Sequence, residues 1–301
     1  MIARRSFLAG AAAFANTQPG ARRVVVIGYD GLSGRGLQSA KAPNISALIA
    51  AGSWTMHARA VLPTVSSPNW ASMIMGAGPA QHGVTSNEWK PQQYEIEPFC
   101  KGPSGIFPTM FLLLRQQKPA SDIAIFHHWE DFARLVEPGI PSVIARGETA
   151  GATISRALAY LDKHSPDLLF IHLDSIDDAG HKYGHLTPEY FAAIAEADRL
   201  TGELLHGRRN DTVVLLTADH GGVGKKHGGN SMAELEIPWI LSGPGVKAGV
   251  ELKSPVNQFD TAATVAHLLG LQTPPCWIGR AVFEALLPIE RARPRRFRPL
   301  S

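Results

Sequence analysis

Val213-Val214-Leu215-Leu216-Thr217-Ala218-Asp219-His220-Gly221-Gly222 joins an apolar run to a burst of polar and glycine residues, with His227-Gly228-Gly229 close behind. The apolar part, half of it β-branched, reads as a strand buried on both faces, the habit of a parallel sheet. Open α/β sheets place ligands where such strands end, so Asp219 and His220 stand at a strand mouth. An oxygen and a nitrogen donor side by side suit a borderline divalent cation such as zinc, and the paired glycines let the backbone turn tightly around it. Alone, Asp-His-Gly also fits a plain turn after a strand, so further donors from other segments decide between the two.

Two other segments repeat the pattern. Arg23 to Tyr29 reads as the first and central strand and delivers Asp30-Gly31; Asp167 to Leu173 reads as another buried strand and delivers Asp174-Ser175-Ile176-Asp177-Asp178-Ala179-Gly180-His181. Asp177 and His181, four apart, face the same way on a helical turn and can bind one ion, and Asp174 and Asp178 in the same acidic loop could serve instead. Helical patterns lie at Pro43 to Gly52, with Gly52 as the stop, at Glu189 to Leu205, and at Asp260 to Gly270. Ile237-Pro238-Trp239-Ile240-Leu241 reads as a strand whose proline predicts its first position or an edge. This alternation predicts an α/β fold, a doubly wound, mostly parallel sheet flanked by helices. No repeat or long linker interrupts it, so residues 16–301 read as a single domain. The looser stretch at 83–147 reads as an embellishment that shapes substrate access. Within it, Ile123 to Phe126 has the look of a core strand, and His127 and His128 read as lining a cleft or capping that strand rather than binding metal.

Leu62-Pro63-Thr64-Val65-Ser66-Ser67-Pro68-Asn69-Trp70 is a hydroxyl-rich turn running into a helix, with Pro68 tolerated in its first turn. Backbone donors at a helix start favour an anion, so a hydroxyl there can meet a phosphate. Of the three hydroxyls, Ser66 has Pro68 two residues on and Asn69 three on, and is expected to be the nucleophile; the plainer possibility is a Ser that only caps the helix. Asp30, Asp177, His181, Asp219, His220 and His227 are too many donors for one tetrahedral zinc and fit two divalent ions sharing a site.

The balance of 29 Lys+Arg against 26 Asp+Glu gives +3, and five arginines (Arg291, Arg293, Arg295, Arg296, Arg298) crowd the C-terminal tail, which argues against a nucleic-acid face. Arg4-Arg5 before the apolar run Phe7 to Ala15, ending in Ala13-Phe14-Ala15, looks like a twin-arginine export signal over residues 1–15. A periplasmic or secreted protein is expected. No later window supplies about 18 uninterrupted apolar residues, so no membrane span is expected. Cys100 and Cys276 are the only cysteines; export would permit a bond between them, and two unpaired thiols fit the sequence equally.

Together, Tyr29-Asp30-Gly31, Pro63-Thr64-x-Ser66-x-Pro68-Asn69, Asp177-x-x-Gly180-His181-x-x-Gly184, Ala218-Asp219-His220-Gly221 and His227-Gly228-Gly229 resemble the alkaline phosphatase superfamily, and within it the type I phosphodiesterase/nucleotide pyrophosphatase family. The resemblance implies an alkaline phosphatase-like fold and hydrolysis of small-molecule phosphoesters, above all phosphodiester or pyrophosphate bonds. It implies one zinc at Asp30, Asp219, His220 and the nucleophile Ser66, a second at Asp177, His181 and His227, and an Asn69 that donates to a phosphate oxygen. Serine stands where that family usually has threonine.

A sulfatase is the nearest rival, because Ser66-Ser67-Pro68-Asn69-Trp70 copies its serine frame except that Trp70 replaces the required arginine. A cofactor-independent phosphoglycerate mutase would need an inserted second domain that this chain is too short to hold. A phosphomonoesterase on the same scaffold would use the same donors, and so would an exported metal-binding protein without catalysis. No arginine neighbours the hydroxyl turn or the strand mouths in sequence, which points to diesters over monoesters.

Overall fold

The computed structural model describes residues 23–206 and 210–288. The expected export signal at 1–15 and the arginine-rich tail lie outside the described residues. In chain order the elements are β1 (Arg23–Tyr29), α1 (Gly34–Ser39), α2 (Pro43–Ala50), β2 (Gly52–Arg59), α3 (Ser66–Met75), α4 (Pro79–His82), α5 (Met110–Gln117), β3 (Ile123–His127), β4 (Val143–Arg146), α6 (Ala150–Leu161), β5 (Leu168–Leu173), α7 (Ser175–Tyr183), α8 (Pro188–Leu205), β6 (Thr212–Ala218), α9 (Met232–Leu235), β7 (Glu236–Ser242), β8 (Val250–Glu251) and α10 (Asp260–Leu268).

One eight-stranded sheet runs in the order β4-β3-β5-β1-β6-β7-β2-β8. Strands β5 and β6 are buried along their whole length, which is why they read as continuous apolar runs rather than alternating ones. β1 pairs in parallel with β5 and β6, and the β3/β5, β3/β4 and β2/β8 pairs are also parallel; only β7 is reversed, against β6 and β2. The helices pack in two sets, α1, α2, α6 and α7 around α8, and α3 with α4, α5 and α10. This is the mostly parallel, helix-flanked α/β sheet expected, with β1 near its centre.

Three expectations need correcting. Pro238 is neither at the start nor at an edge, because β7 lies between β6 and β2. Its missing N–H is tolerated where the β2 register shifts between Thr55 and Ala58, a bulge that leaves no ladder bond to be made there. The same bulge breaks the two-residue alternation of β2 and hides that strand in the sequence. Gly52 does not stop the preceding helix but opens β2; Ala51 caps α2. Finally, the stretch 83–147 is not all embellishment. It contains α5, β3 and β4, and the two strands form one flank of the main sheet. Cys100 in this stretch is bonded to Cys276, with Cα atoms 6.5 Å apart.

Candidate metal centre

Sheet register builds the site. Tyr29 pairs with Leu173 on one flank and Ala218 on the other, so Asp30, Asp174 and Asp219 leave three neighbouring parallel strands side by side. Helix α7 then adds Asp177 and His181, the β6–α9 loop adds His220 and His227, and α3 begins at Ser66 with Val65 as its cap. Gly31 has φ of +72°, and a Cβ there would lie 2.6 Å from Asp177 Oδ1, so only glycine lets the β1 turn pass this close to α7.

Two clusters result. In the first, His220 Nε2 is 3.2 Å from Asp219 Oδ2, 3.4 Å from Asp30 Oδ1 and 3.4 Å from Ser66 Oγ. In the second, Asp177 Oδ2 is 3.0 Å from His181 Nε2 and 3.7 Å from His227 Nε2. The His220 and His227 rings stack at 3.9 Å, joining the clusters, and donor atoms of Asp177, His220 and His227 also converge as a set.

The donors fit cations. The Nδ1 atoms of His181, His220 and His227 face the backbone carbonyls of Lys225, Gly221 and Thr64 at 2.9–3.0 Å. A carbonyl can only accept, so each Nδ1 carries a hydrogen, and each Nε2 is the nitrogen turned into the site, able to bind a cation once it is deprotonated. His181 Nε2 and His227 Nε2 meet at 3.0 Å, two ring nitrogens that a shared cation would bridge in place of a proton. Asp30 Oδ1, Asp219 Oδ2 and Asp177 Oδ1 are buried without a hydrogen-bond partner. Asp219 Oδ1, by contrast, is fixed by the N–H groups of Gly31 and His220, which orients its free oxygen.

The electrostatics show the same need. Burial, reinforced by the Asp30 and Asp177 carboxylates, pushes Asp219 well above the usual carboxylate range. Burial and Asp30 push Asp174 up to about 9. Burial would also raise Asp30, but His172, His220 and the Trp70 indole, which donates to Oδ2 at 3.0 Å, hold it below its ordinary value. The Asp177 hydrogen bond raises His181 to about 9. So many buried carboxylates cannot all be ionised without positive charge among them.

All six expected cation donors and Ser66 are therefore brought together. The three hydroxyls separate cleanly. Thr64 Oγ1 donates to the Gly229 carbonyl and accepts from the Gly228 N–H, and so holds the His227 loop. Ser67 Oγ accepts from Arg134. Only Ser66 Oγ faces the clusters. Asn69 does not reach the site: fully buried, its carboxamide accepts from the Val61 N–H and donates to the carbonyls of Val61, Pro63 and Val65, which uses its hydrogen-bonding capacity on the turn. His127 caps its strand, with Nδ1 on the Trp129 carbonyl. His128 instead converges with Asp174 and Asp178 beside the main clusters, and Asp174 also converges with Asp30 and Asp177.

Several groups carry no signal in the sequence. Asn87 brings a carboxamide to the start of α3, its Oδ1 accepting from the Ser67 N–H at 2.8 Å. Arg134, 67 residues beyond Ser67, donates from Nη2 to Ser67 Oγ at 3.1 Å and to the Asn87 carbonyl. His172 and His185 sit fully buried beside Asp30 and Asp177, at 3.7 and 4.0 Å. Trp70, which in sequence marks only a departure from the sulfatase frame, is the donor that fixes Asp30. Spacing does not reveal contacts made across such separations.

Solved structures show where this architecture occurs. Murine ectonucleotide pyrophosphatase/phosphodiesterase 5, as an inactive variant in complex with AMP, superposes with a TM-score of 0.70 over 87% of this chain and 98% of that one, at 15% identity. A putative sulfatase from Bacteroides thetaiotaomicron gives 0.65 over 88% and 74%, at 16% identity. The fold is thus the alkaline phosphatase-like α/β fold. The profile of the type I phosphodiesterase / nucleotide pyrophosphatase family matches residues 24–232, and the chain belongs to that family. Among curated relatives, human ectonucleotide pyrophosphatase/phosphodiesterase family member 1 is 24% identical over 203 residues, covering 60% of this chain and 21% of the relative. A phosphopentomutase from Alkaliphilus metalliredigens is 32% identical over 120 residues, 39% of this chain and 30% of the relative. The chain therefore spans less than a third of the length of either relative.

Proposed function

We propose that the protein is a phosphoester hydrolase that works with two divalent cations, zinc by the mixed imidazole and carboxylate donor set, and with Ser66 as nucleophile. The observation that carries this reading is the position of Ser66 Oγ, at a helix start and 3.4 Å from His220 Nε2, where the two donor clusters meet. When bound, the cations supply Lewis acidity that lowers a hydroxyl pKa and screens phosphoryl charge. Asp30, Asp219 and His220, with Ser66, would hold one cation, and Asp177, His181 and His227 would hold the other.

Ser66 Oγ attacks phosphorus in line as the bond to the leaving oxygen breaks, giving a phosphoserine ester that water then cleaves with overall retention at phosphorus. The α3 N-terminus favours the anion that develops there. Asn87 takes the place expected of Asn69: Nδ2 of its carboxamide donates to no group among the described residues, so it is free to meet a phosphoryl oxygen. Phosphodiester and pyrophosphate bonds are the substrate class that the family name and the AMP complex of the murine relative favour. A sulfatase is disfavoured, since Trp70 stands at the arginine position of its frame and its indole is committed to Asp30. Export to the periplasm or beyond is part of the proposal, supported by the Cys100–Cys276 bond, which suits an oxidising compartment.

Turnover of aryl phosphate diesters, monoesters and sulfate esters by zinc-loaded protein tests the reading, with Ser66→Ala as control. Loss of turnover with both cations retained supports it; near-normal turnover by Ser66→Ala, or two cations bound without hydrolysis of any phosphoester, refutes it.

A further inference from the structure

Of the three carboxylates in the donor set, two are held at one oxygen and free at the other. Asp30 has Oδ2 held by the Trp70 indole, and Asp219 has Oδ1 held by the N–H groups of Gly31 and His220, while Asp30 Oδ1 and Asp219 Oδ2 have no partner. Asp177 departs from this arrangement. Its Oδ2 faces His181 and His227, but its buried Oδ1 accepts no hydrogen bond. Beside that oxygen stands His185, whose side chain is 1% exposed, whose ring nitrogens both lack a partner, and whose Nε2 lies 4.0 Å from Asp177 Oδ1. The ring fills a slot that two glycines open. A Cβ at Gly180 on α7 would lie 2.6 Å from Nε2, and one at Gly222 in the loop after His220 would lie 2.1 Å from it. The Tyr190 ring packs on the imidazole at 5.1 Å, and the His185 backbone N–H donates to the Gly224 carbonyl at 2.7 Å, so both ends of the residue are fixed. Buried polar groups as a rule find partners, and here an unmatched donor lies beside an unmatched acceptor.

Resting on the two-cation reading above, we propose that His185 is a positioning residue whose Nε2–H donates to Asp177 Oδ1, which holds Oδ2 towards the His181 and His227 nitrogens and so fixes the site of the second cation. An N–H···O bond spans about 2.7–3.2 Å, so the separation closes with a movement of about 1 Å, within reach of a small rotation of the carboxylate. All three buried carboxylates then share one arrangement, with one oxygen held by the protein and the other turned to the cations. A partner of this kind orients a metal ligand without touching the metal or the substrate, and His185 acts through Asp177 alone.

Zinc competition against a chromogenic chelator on wild type, His185→Gln and His185→Leu tests this, with the Asp177/His181/His227 step identified as the one that His227→Ala removes. Glutamine can place an amide N–H where Nε2 stands, whereas leucine fills the slot and donates nothing. His185→Leu should weaken that step about 10–100-fold and leave the Asp30/Asp219/His220 step within about threefold, and His185→Gln should stay within about threefold at both. Urea unfolding with a chelator present separates this from packing: His185→Leu removes two unmatched nitrogens, so its midpoint should be no lower than that of His185→Gln. A histidine that only fills the slot gives the reverse order, tight zinc in His185→Leu and loss in His185→Gln, and that result, or equal affinity in the two, overturns the proposal. Should either variant fail to fold, wild type decides: zinc binding should move the His185 ring N–H proton downfield as the hydrogen bond forms, and an unmoved resonance overturns the proposal. Because the readout is zinc affinity, an absence of phosphoester turnover bears on the hydrolase reading alone, while wild type that never takes a second zinc overturns both.

Discussion

Replacing Trp70 with phenylalanine isolates the contact between the apolar core and the cation donors. The indole is fully buried against Phe132, Phe170 and His172, and its Nε1 donates to Asp30 Oδ2 at 3.0 Å. A hydrogen bond to a charged group contributes about 1.5–3 kcal/mol, and shrinking indole to phenyl in a site that cannot collapse adds about 1–2 kcal/mol, so Trp70→Phe should lose about 2.5–5 kcal/mol. Urea unfolding in the presence of a chelator measures this without cation binding. Asp30 is held below its ordinary pKa, so the bond's contribution is present above the unfolded carboxylate value near 4 and is lost as pH falls through the folded one. The gap between variant and wild type should therefore narrow only in strong acid. Outer partners of a metal ligand typically change affinity by about 10–100-fold, so zinc competition should show a loss of that order. A variant within about 1 kcal/mol of wild type and with unchanged zinc affinity would show that Asp30 is positioned by something other than the indole.

Asn69→Ala should cost about 2–4 kcal/mol by orphaning buried backbone groups of the turn, yet leave KM for a phosphoester nearly unchanged in whatever fraction folds; a large rise in KM at normal stability would return Asn69 to substrate binding. His227→Ala should lower bound zinc from two per chain towards one, losing the Asp177/His181 ion first, and metal analysis after dialysis reads this directly. Without cations His181 keeps its proton up to about pH 9, so zinc must displace it. Affinity at that site should then fall about tenfold per pH unit on descending from 9 to 7, with proton release seen as buffer-dependent binding heat; heats independent of buffer would contradict the assignment.

The centre of the sheet was legible because its strands must be apolar on both faces and each must end where a donor is useful. Leu168–Leu173 followed by Asp174, and Thr212–Ala218 followed by Asp219, carry fold and site in one signal. Strand β2 was not legible because its bulge destroys the alternation, and Pro238 misled because its missing N–H is excused by a partner strand distant in sequence. Asn69 looked like a substrate donor because spacing places a residue on a helix but not which backbone groups its side chain will be needed to satisfy. Arg134 and Asn87 were invisible for the opposite reason: their meeting with Ser67 depends on how the region after α4 folds back over α3.

The bond between Cys100 and Cys276 closes a covalent ring and leaves one arm on its N-terminal side and another on its C-terminal side. Strand β1, with Asp30, and α3, with Ser66, belong to the N-terminal arm, whereas β5, β6 and the remaining cation donors belong to the ring. Because β1 lies between β5 and β6, the N-terminal arm is wedged into the middle of the ring's own sheet. A protease that nicks a loop between residues 101 and 275 would leave two pieces held by sulfur, running as one band until a reductant is added. A nick between β1 and Cys100 would leave β1 held by the sheet alone, and denaturant would then release Asp30 from the other donors whatever the redox state.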